Sequence, residues 1–105
     1  MKLIVDREIK LANGNAVPAG TMVNIFVEKK RPTFAEFFYQ PVGAIRISCA
    51  NLHNYFNDFI NPTDEVLMEA VMDGVCPSIY SGYDVEPDGW DEEGFPSVLL
   101  AMGLV

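Results

Sequence analysis

The first half of the chain is interrupted by turn-forming residues so often that no long helix fits between them, which restricts it to short, tightly connected strands. Residues 2–11 begin apolar (Leu3, Ile4, Val5) and then alternate at Ile9 and Leu11. Ala12-Asn13-Gly14-Asn15 follows, and Asn-Gly is a strong hairpin signal because both residues tolerate the positive φ of a tight reversal. Val17-Pro18-Ala19-Gly20 marks a second turn. The run from Thr21 to Val27 then places Val23, Ile25 and Val27 on one face and Met22, Asn24 and Phe26 on the other. After the polar break Glu28-Lys29-Lys30-Arg31-Pro32, an aromatic strand is expected over 33–39, a turn at Gln40-Pro41-Val42-Gly43, and another strand over 44–49. Four short strands with such connections suggest a small meander or a partly closed barrel.

Beyond residue 50 the pattern changes. Residues 51–56 read as a single helical or 3₁₀ turn. Asn61-Pro62-Thr63-Asp64-Glu65 is a helix start, with Asn61 as the expected cap, Pro62 at the first position and acids in the first turn. The helix is predicted to run to Met72 or Asp73 and to stop at Gly74. Val66, Leu67, Ala70 and Val71 form its expected apolar face, with Met68 and Met72 as core filler beside it. Residues 77–96 are dense in Gly and Pro but also hold Tyr80, Tyr83, Trp90 and Phe95, which predicts an ordered loop. Ser97 and Gly103 bracket a short C-terminal helix whose apolar residues are expected to dock on the core. The expected fold class is therefore α+β in one domain over residues 1–105, with a β-rich half (1–57) and an acidic helix-and-loop half (58–105).

Charge follows the same division. Residues 1–57 contain all seven Lys and Arg and four acids; residues 58–105 contain eleven acids and no base, within an overall charge of −8. Such a half-chain repels itself, and either solubility or a basic partner accounts for it. Half of the residues are hydrophobic, so disorder is not expected. No apolar run is long enough to span a bilayer, and Met1–Arg7 is charged too early for a signal peptide, so the expected location is the cytoplasm. Cys49 and Cys76 lack CxxC spacing and read as buried free thiols, and His53 is the only histidine. Cys49 and His53 are four apart without an evident third group to orient them, so no catalytic residue is assigned and no enzyme is expected. Neither a cofactor nor a structural metal site is expected from these residues.

Three candidate surfaces remain. Glu65, Glu69 and Asp73 recur at intervals of four and share a helix face, at a cost in mutual repulsion and with Asp73 at the end of the helix where an anion is disfavoured. A lysine-free stripe of this kind points to a basic partner, against the plainer reading of a solvated face. The loop from Asp84 to Gly94 carries Asp88, Asp91, Glu92 and Glu93 around Trp90, an aromatic anchor in an acidic setting. Its acids open like a calcium loop, but Phe95 stands where the closing bidentate Glu is needed. Lys29, Lys30 and Arg31 lie beside Phe34, Phe37, Phe38 and Tyr39, a combination that binds single-stranded nucleic acid or a small ligand when the aromatics are accessible. Three bases are few for that use in a negative chain, so nucleic acid is the less expected partner. The apolar C-terminus leaves a homo-oligomer open.

Pro18-Ala19-Gly20-Thr21 leading into an apolar strand is similar to the beginning of small SH3-like barrels. The runs Glu86-Pro87-Asp88-Gly89-Trp90-Asp91, Gly94-Phe95-Pro96-Ser97 and Leu99-Leu100-Ala101-Met102-Gly103-Leu104 resemble a tail that recurs in small phage- and prophage-encoded proteins. The resemblance covers about a quarter of the chain and transfers no catalytic residue. It implies an SH3-like sheet or barrel of four or five strands and an accessory protein acting in a bacterial host cytoplasm. The expectation is a non-enzymatic interaction module whose acidic surface meets a host protein with a basic surface.

Overall fold

The computed structural model describes all 105 residues and is α+β, built from small antiparallel sheets and two α-helices. β1 (Lys2–Ile4) pairs with β4 (Met22–Asn24), and β2 (Ile9–Lys10) pairs with β3 (Ala16–Val17). β5 (Phe26–Val27), β6 (Phe34–Tyr39) and β7 (Gly43–Ser48) form the largest sheet, in that order. The Asn13-Gly14 signal is realised as the β2–β3 hairpin. The Leu11 N–H donates to the Asn15 carbonyl at 2.9 Å, leaving three residues in the loop, and Gly14 takes φ of 88°.

The predicted strand over 21–27 has the expected facing: Val23, Ile25 and Val27 are buried, and Met22, Asn24 and Phe26 are exposed. It is not one strand, however. Ile25 extends the β1–β4 ladder by one rung, its N–H donating to the Met1 carbonyl at 2.9 Å and its carbonyl accepting from the Met1 amino group at 3.0 Å; from Phe26 the chain pairs with β6 instead, so β4 serves one sheet and β5 another. The strand expected over 2–11 likewise breaks at Asp6-Arg7. Both N–H groups there donate to the Tyr55 carbonyl, at 2.8 and 3.2 Å. These two breaks divide the N-terminal half into separate ladders, and no closed barrel forms.

Asp6 and Arg7 have a structural task that explains the break. Cys49–Asn54 form the expected 3₁₀ turn, and the Arg7 guanidinium donates to the His53 carbonyl at 2.8 Å, to the Asn54 carbonyl, and to Asn57 Oδ1 at 2.8 Å. The Asn57 N–H donates to Asp6 Oδ2 at 2.6 Å. The dipeptide thus satisfies carbonyls left open at the end of the 3₁₀ turn and ties the first strands to residues 53–57.

α1 spans Asp64–Asp73. Its cap is Thr63, not Asn61: the Thr63 hydroxyl accepts from the Val66 N–H at 3.3 Å, and Gly74 ends the helix in the left-handed conformation. Only Ala70 is fully buried, with Val66 and Leu67 half-buried. Met68, Met72 and Val71 are 65, 80 and 66 % exposed, which corrects the expectation that the methionines fill the core. The region expected as a loop contains a short ladder of β8 (Cys76–Pro77) with β9 (Asp84–Val85).

α2 (Val98–Ala101) is capped by Ser97, whose hydroxyl accepts from the Leu100 N–H at 3.0 Å and donates to the Pro87 carbonyl. It closes through Leu104 N–H to the Leu99 carbonyl and Gly103 N–H to the Leu100 carbonyl, a Schellman pattern with Gly103 at φ of 72°. Val98, Leu99 and Ala101 join the core, as expected, whereas Leu104 and Val105 remain exposed.

One hydrophobic cluster runs through both halves. It joins Val5, Ile25 and Phe37 to Leu52, Phe56 and Phe59, and these to Ile79, Phe95 and Val98. Phe95 lies at its centre, edge-on to Phe59 at 5.2 Å and stacked on Tyr80 at 5.1 Å. The division near residue 58 is a change of layer over a shared core. No helix is long and apolar enough to cross a membrane.

Candidate functional site

The loop after β9 is held by its own backbone. Asp91 Oδ1 accepts from the Glu93 and Phe95 N–H groups, each at 2.9 Å, while the Asp91 N–H donates to the Phe95 carbonyl at 2.8 Å. This is the side-chain-capped turn that Asp forms readily. Gly94 completes it at φ of 88°. With Phe95 anchored in the core, the turn fixes the direction of Trp90, Glu92 and Glu93.

These residues line an open cavity of about 480 Å³ together with Tyr83, Asp84, Val85 and Asp91. The cavity therefore combines an indole and a phenol ring with four carboxylates. Glu92, Glu93, Asp84 and Tyr83 are exposed, whereas Trp90 and Asp91 are half-buried. The Tyr80 phenol beneath is pushed up from its ordinary pKa by burial first, then by Asp58, Tyr83 and Glu93.

Several predicted site residues are redistributed. Trp90, Asp91, Glu92 and Glu93 come together as expected, but Asp91 spends one oxygen on the turn and serves as scaffold first. Asp88 is exposed and does not line the cavity. Glu65, Glu69 and Asp73 are exposed on α1 and do not line the cavity. Of the other lining residues, Asp84 is expected only as the first residue of the acidic loop, and nothing in the sequence points to Val85. Tyr83 was expected to pin the loop, yet it is 57 % exposed.

The basic segment is also reassigned. Lys29 Nζ lies 5.7 Å from the centre of the Trp90 ring, so its cation rests against the acidic loop. Lys30 and Arg31 are exposed. The aromatics expected beside them divide: Phe37 is buried and Tyr39 half-buried, whereas Phe34 and Phe38 are 40 and 66 % exposed on the outer face of the sheet. With Phe26 they surround Glu36 and Arg46, which pair at 2.9 Å, and Arg46 lies 5.7 Å from the centre of the Phe34 ring. A shallow depression of about 340 Å³ lies among Phe26, Phe38 and Arg46, and none of Lys29, Lys30 or Arg31 lines it. The exposed aromatics therefore have Arg46 as their cation, not the 29–31 turn.

The remaining polar groups carry less chemistry. Both cysteines are buried free thiols. Burial pushes the Cys49 thiol up to about 12, and its Sγ donates to the Pro32 carbonyl at 3.4 Å, so Cys49 is not a thiolate nucleophile at neutral pH. No three His, Cys, Asp or Glu side chains gather closely enough to hold a metal ion.

Known protein families, curated proteins and solved structures yield no match to this chain. The residues themselves are the basis for any functional reading. What they define is an acidic, aromatic-lined recess on a rigid turn, suited to a cationic group.

Proposed function

We propose that the chain is a non-enzymatic interaction module that binds a protein through a basic segment, a lysine or arginine of which enters the recess at Trp90. The observation that carries this reading is the convergence of Tyr83 and Trp90 with Asp84, Asp91, Glu92 and Glu93 in one cavity. Carboxylates supply charge-assisted hydrogen bonds to such a cation, and the ring faces attract it directly. Lys29 supports the reading, since a cation of the chain itself already approaches Trp90. Residues 58–105 hold eleven acids and no base, and a field of that sign favours encounter with basic surfaces. The SH3-like and phage-protein resemblances of the sequence extend the proposal to an accessory protein modulating a host protein in a bacterial cytoplasm.

The test compares capture from a bacterial lysate by the wild-type chain and by a Glu69→Lys/Glu92→Lys/Glu93→Lys variant across a salt series. Partners retained by the wild type are expected to be lost from the variant and to elute early with salt. The same partners at the same salt tolerance would defeat the proposal.

A second reading is favoured by one observation, the exposed Phe26, Phe34 and Phe38 around Arg46. Exposed aromatics beside a cation stack on nucleobases or on a flat ligand. Titration with short oligonucleotides at low salt, comparing wild type with Phe38→Ala, separates this reading from the first.

A further inference from the structure

α1 presents more apolar surface than the core uses. Successive residues turn by about 100° around a helix, so its side chains fall into three adjacent stripes. Val66 and Ala70 face the core. Next come Leu67, Val71, Met68 and Met72, and Leu104 from the C-terminal segment joins them to line an all-apolar depression. Beyond these lie Glu65, Glu69 and Asp73, all exposed. Apart from half-buried Leu67, the middle stripe is bare: Met68, Val71 and Met72 are each at least 65 % exposed, and Leu104 is 57 % exposed. Flexible methionines adapt to different partner side chains, and a contiguous exposed apolar strip with a charged border is the usual form of an interaction site.

The border decides what fits. An antiparallel pairing of two copies through this stripe would set the Glu65, Glu69 and Asp73 row of one against the same row of the other. Like charges in that arrangement repel, and residues 58–105 contain no base to relieve them. An uncharged helix would leave the carboxylates partly desolvated without partners. A helix with apolar residues on one face and lysines or arginines at their edge satisfies both stripes together. Asp73 adds to the fit, because it reinforces the negative C-terminal end of α1.

We infer that the Leu67–Met72 stripe of α1, with Leu104, is a groove for a basic amphipathic helix of a partner protein, held by apolar contact along the methionines and by charge along Glu65, Glu69 and Asp73. The inference rests on the reading that the acidic half faces a basic protein, and it adds the conformation of the partner segment and a second point of contact.

The experiment uses the full chain labelled with ¹³C-methyl methionine, which gives one signal for each of five methionines. The probe is a leucine–lysine peptide of about five helical turns with its leucines on one face, and a leucine–glutamate peptide of the same pattern is the control. Met68 and Met72 signals are expected to shift together and saturably with the lysine peptide. Met22, 62 % exposed on the sheet, reports indiscriminate sticking and is expected to stay in place. Glu69→Lys is expected to weaken binding about tenfold or more, and the glutamate peptide to bind no better than that variant.

An equal shift at Met22, unchanged affinity in Glu69→Lys, or binding of the glutamate peptide would overturn the inference. So would Met68 and Met72 shifts that depend on protein concentration without peptide, since a second copy would then cover the stripe. Trp90 fluorescence recorded in the same titration separates the two proposals. Movement of Met68 and Met72 supports the helix groove whether or not Trp90 responds. A response of Trp90 with silent methionines overturns the groove and leaves the recess reading intact.

Discussion

The Lys29 ammonium lies 5.7 Å from the centre of the Trp90 ring, joining the basic turn that precedes β6 to the acidic loop that follows β9. Two segments that read as separate surfaces are thus in contact, and one supplies a cation to the aromatic anchor of the other. A partially exposed contact of this type contributes about 0.5–1 kcal/mol. A double-mutant cycle of Lys29→Ala and Trp90→Leu, followed by urea unfolding, is expected to give a coupling energy in that range. If an incoming cation competes for Trp90, Lys29→Ala also tightens binding of a basic peptide more than Lys30→Ala does, since both remove one charge but only one vacates the ring.

Phe95 is the residue on which the loop depends. It is 1 % exposed and touches both Phe59 and Tyr80 through their rings. Phe95→Ala is expected to cost about 3–5 kcal/mol, the usual range for truncating a buried aromatic. Chemical denaturation checks this, and a loss below 1 kcal/mol would show that the cluster closes without it.

Ser97 joins helix and loop through one hydroxyl, accepting from Leu100 N–H and donating to the Pro87 carbonyl, at a fully buried position. Ser97→Ala removes a cap and leaves the partly buried Pro87 carbonyl without its donor, an expected loss of about 1–3 kcal/mol. Hydrogen exchange is expected to rise at Leu100 and across 87–97 together. A rise confined to the helix would show that the loop is fixed by other contacts.

Much of the local chemistry was legible in the sequence. The Asn13-Gly14 hairpin, the alternation of Val23, Ile25 and Val27, the Ser97 start and the Gly103 stop depend on neighbouring residues only. What escaped depends on residues distant in the chain. The change of partner after Ile25, from the β1 segment to β6, and the break at Asp6-Arg7, where the Tyr55 carbonyl takes both N–H groups, each depend on a distant segment. No periodicity encodes either. In α1 the apolar residues cover more than half the circumference, so sequence showed which share a stripe but not which stripe meets the core. Thr63 and Asn61 are both capping residues, and only the reach of Thr63 to Val66 distinguishes them. The recess itself needed Tyr83 and Asp84 to be brought opposite Trp90, which the β8–β9 ladder does.

Cys49 predicts a pH dependence. Burial disfavours the thiolate and pushes the thiol up from its ordinary 9.0 to about 12 in the folded state. Between those values the folded state holds a proton that the unfolded state has lost, so stability contributed by the thiol is complete below the lower value and falls as pH rises through the window. Urea midpoints are expected to drop from about pH 8 to about pH 10.5, and Cys49→Ala to show a shallower drop. Equal slopes would mean that the thiol is accessible in the folded state.

The most direct test of the central claim uses Trp90, the single tryptophan of the chain, as a reporter inside the recess. Its fluorescence is followed as a short lysine- and arginine-rich peptide is added at low and at high salt, with the wild type and with Glu92→Lys/Glu93→Lys. The account predicts a saturable change in the wild type that weakens with salt and is lost in the variant. A flat response in the wild type, or an identical titration in the variant, would contradict it.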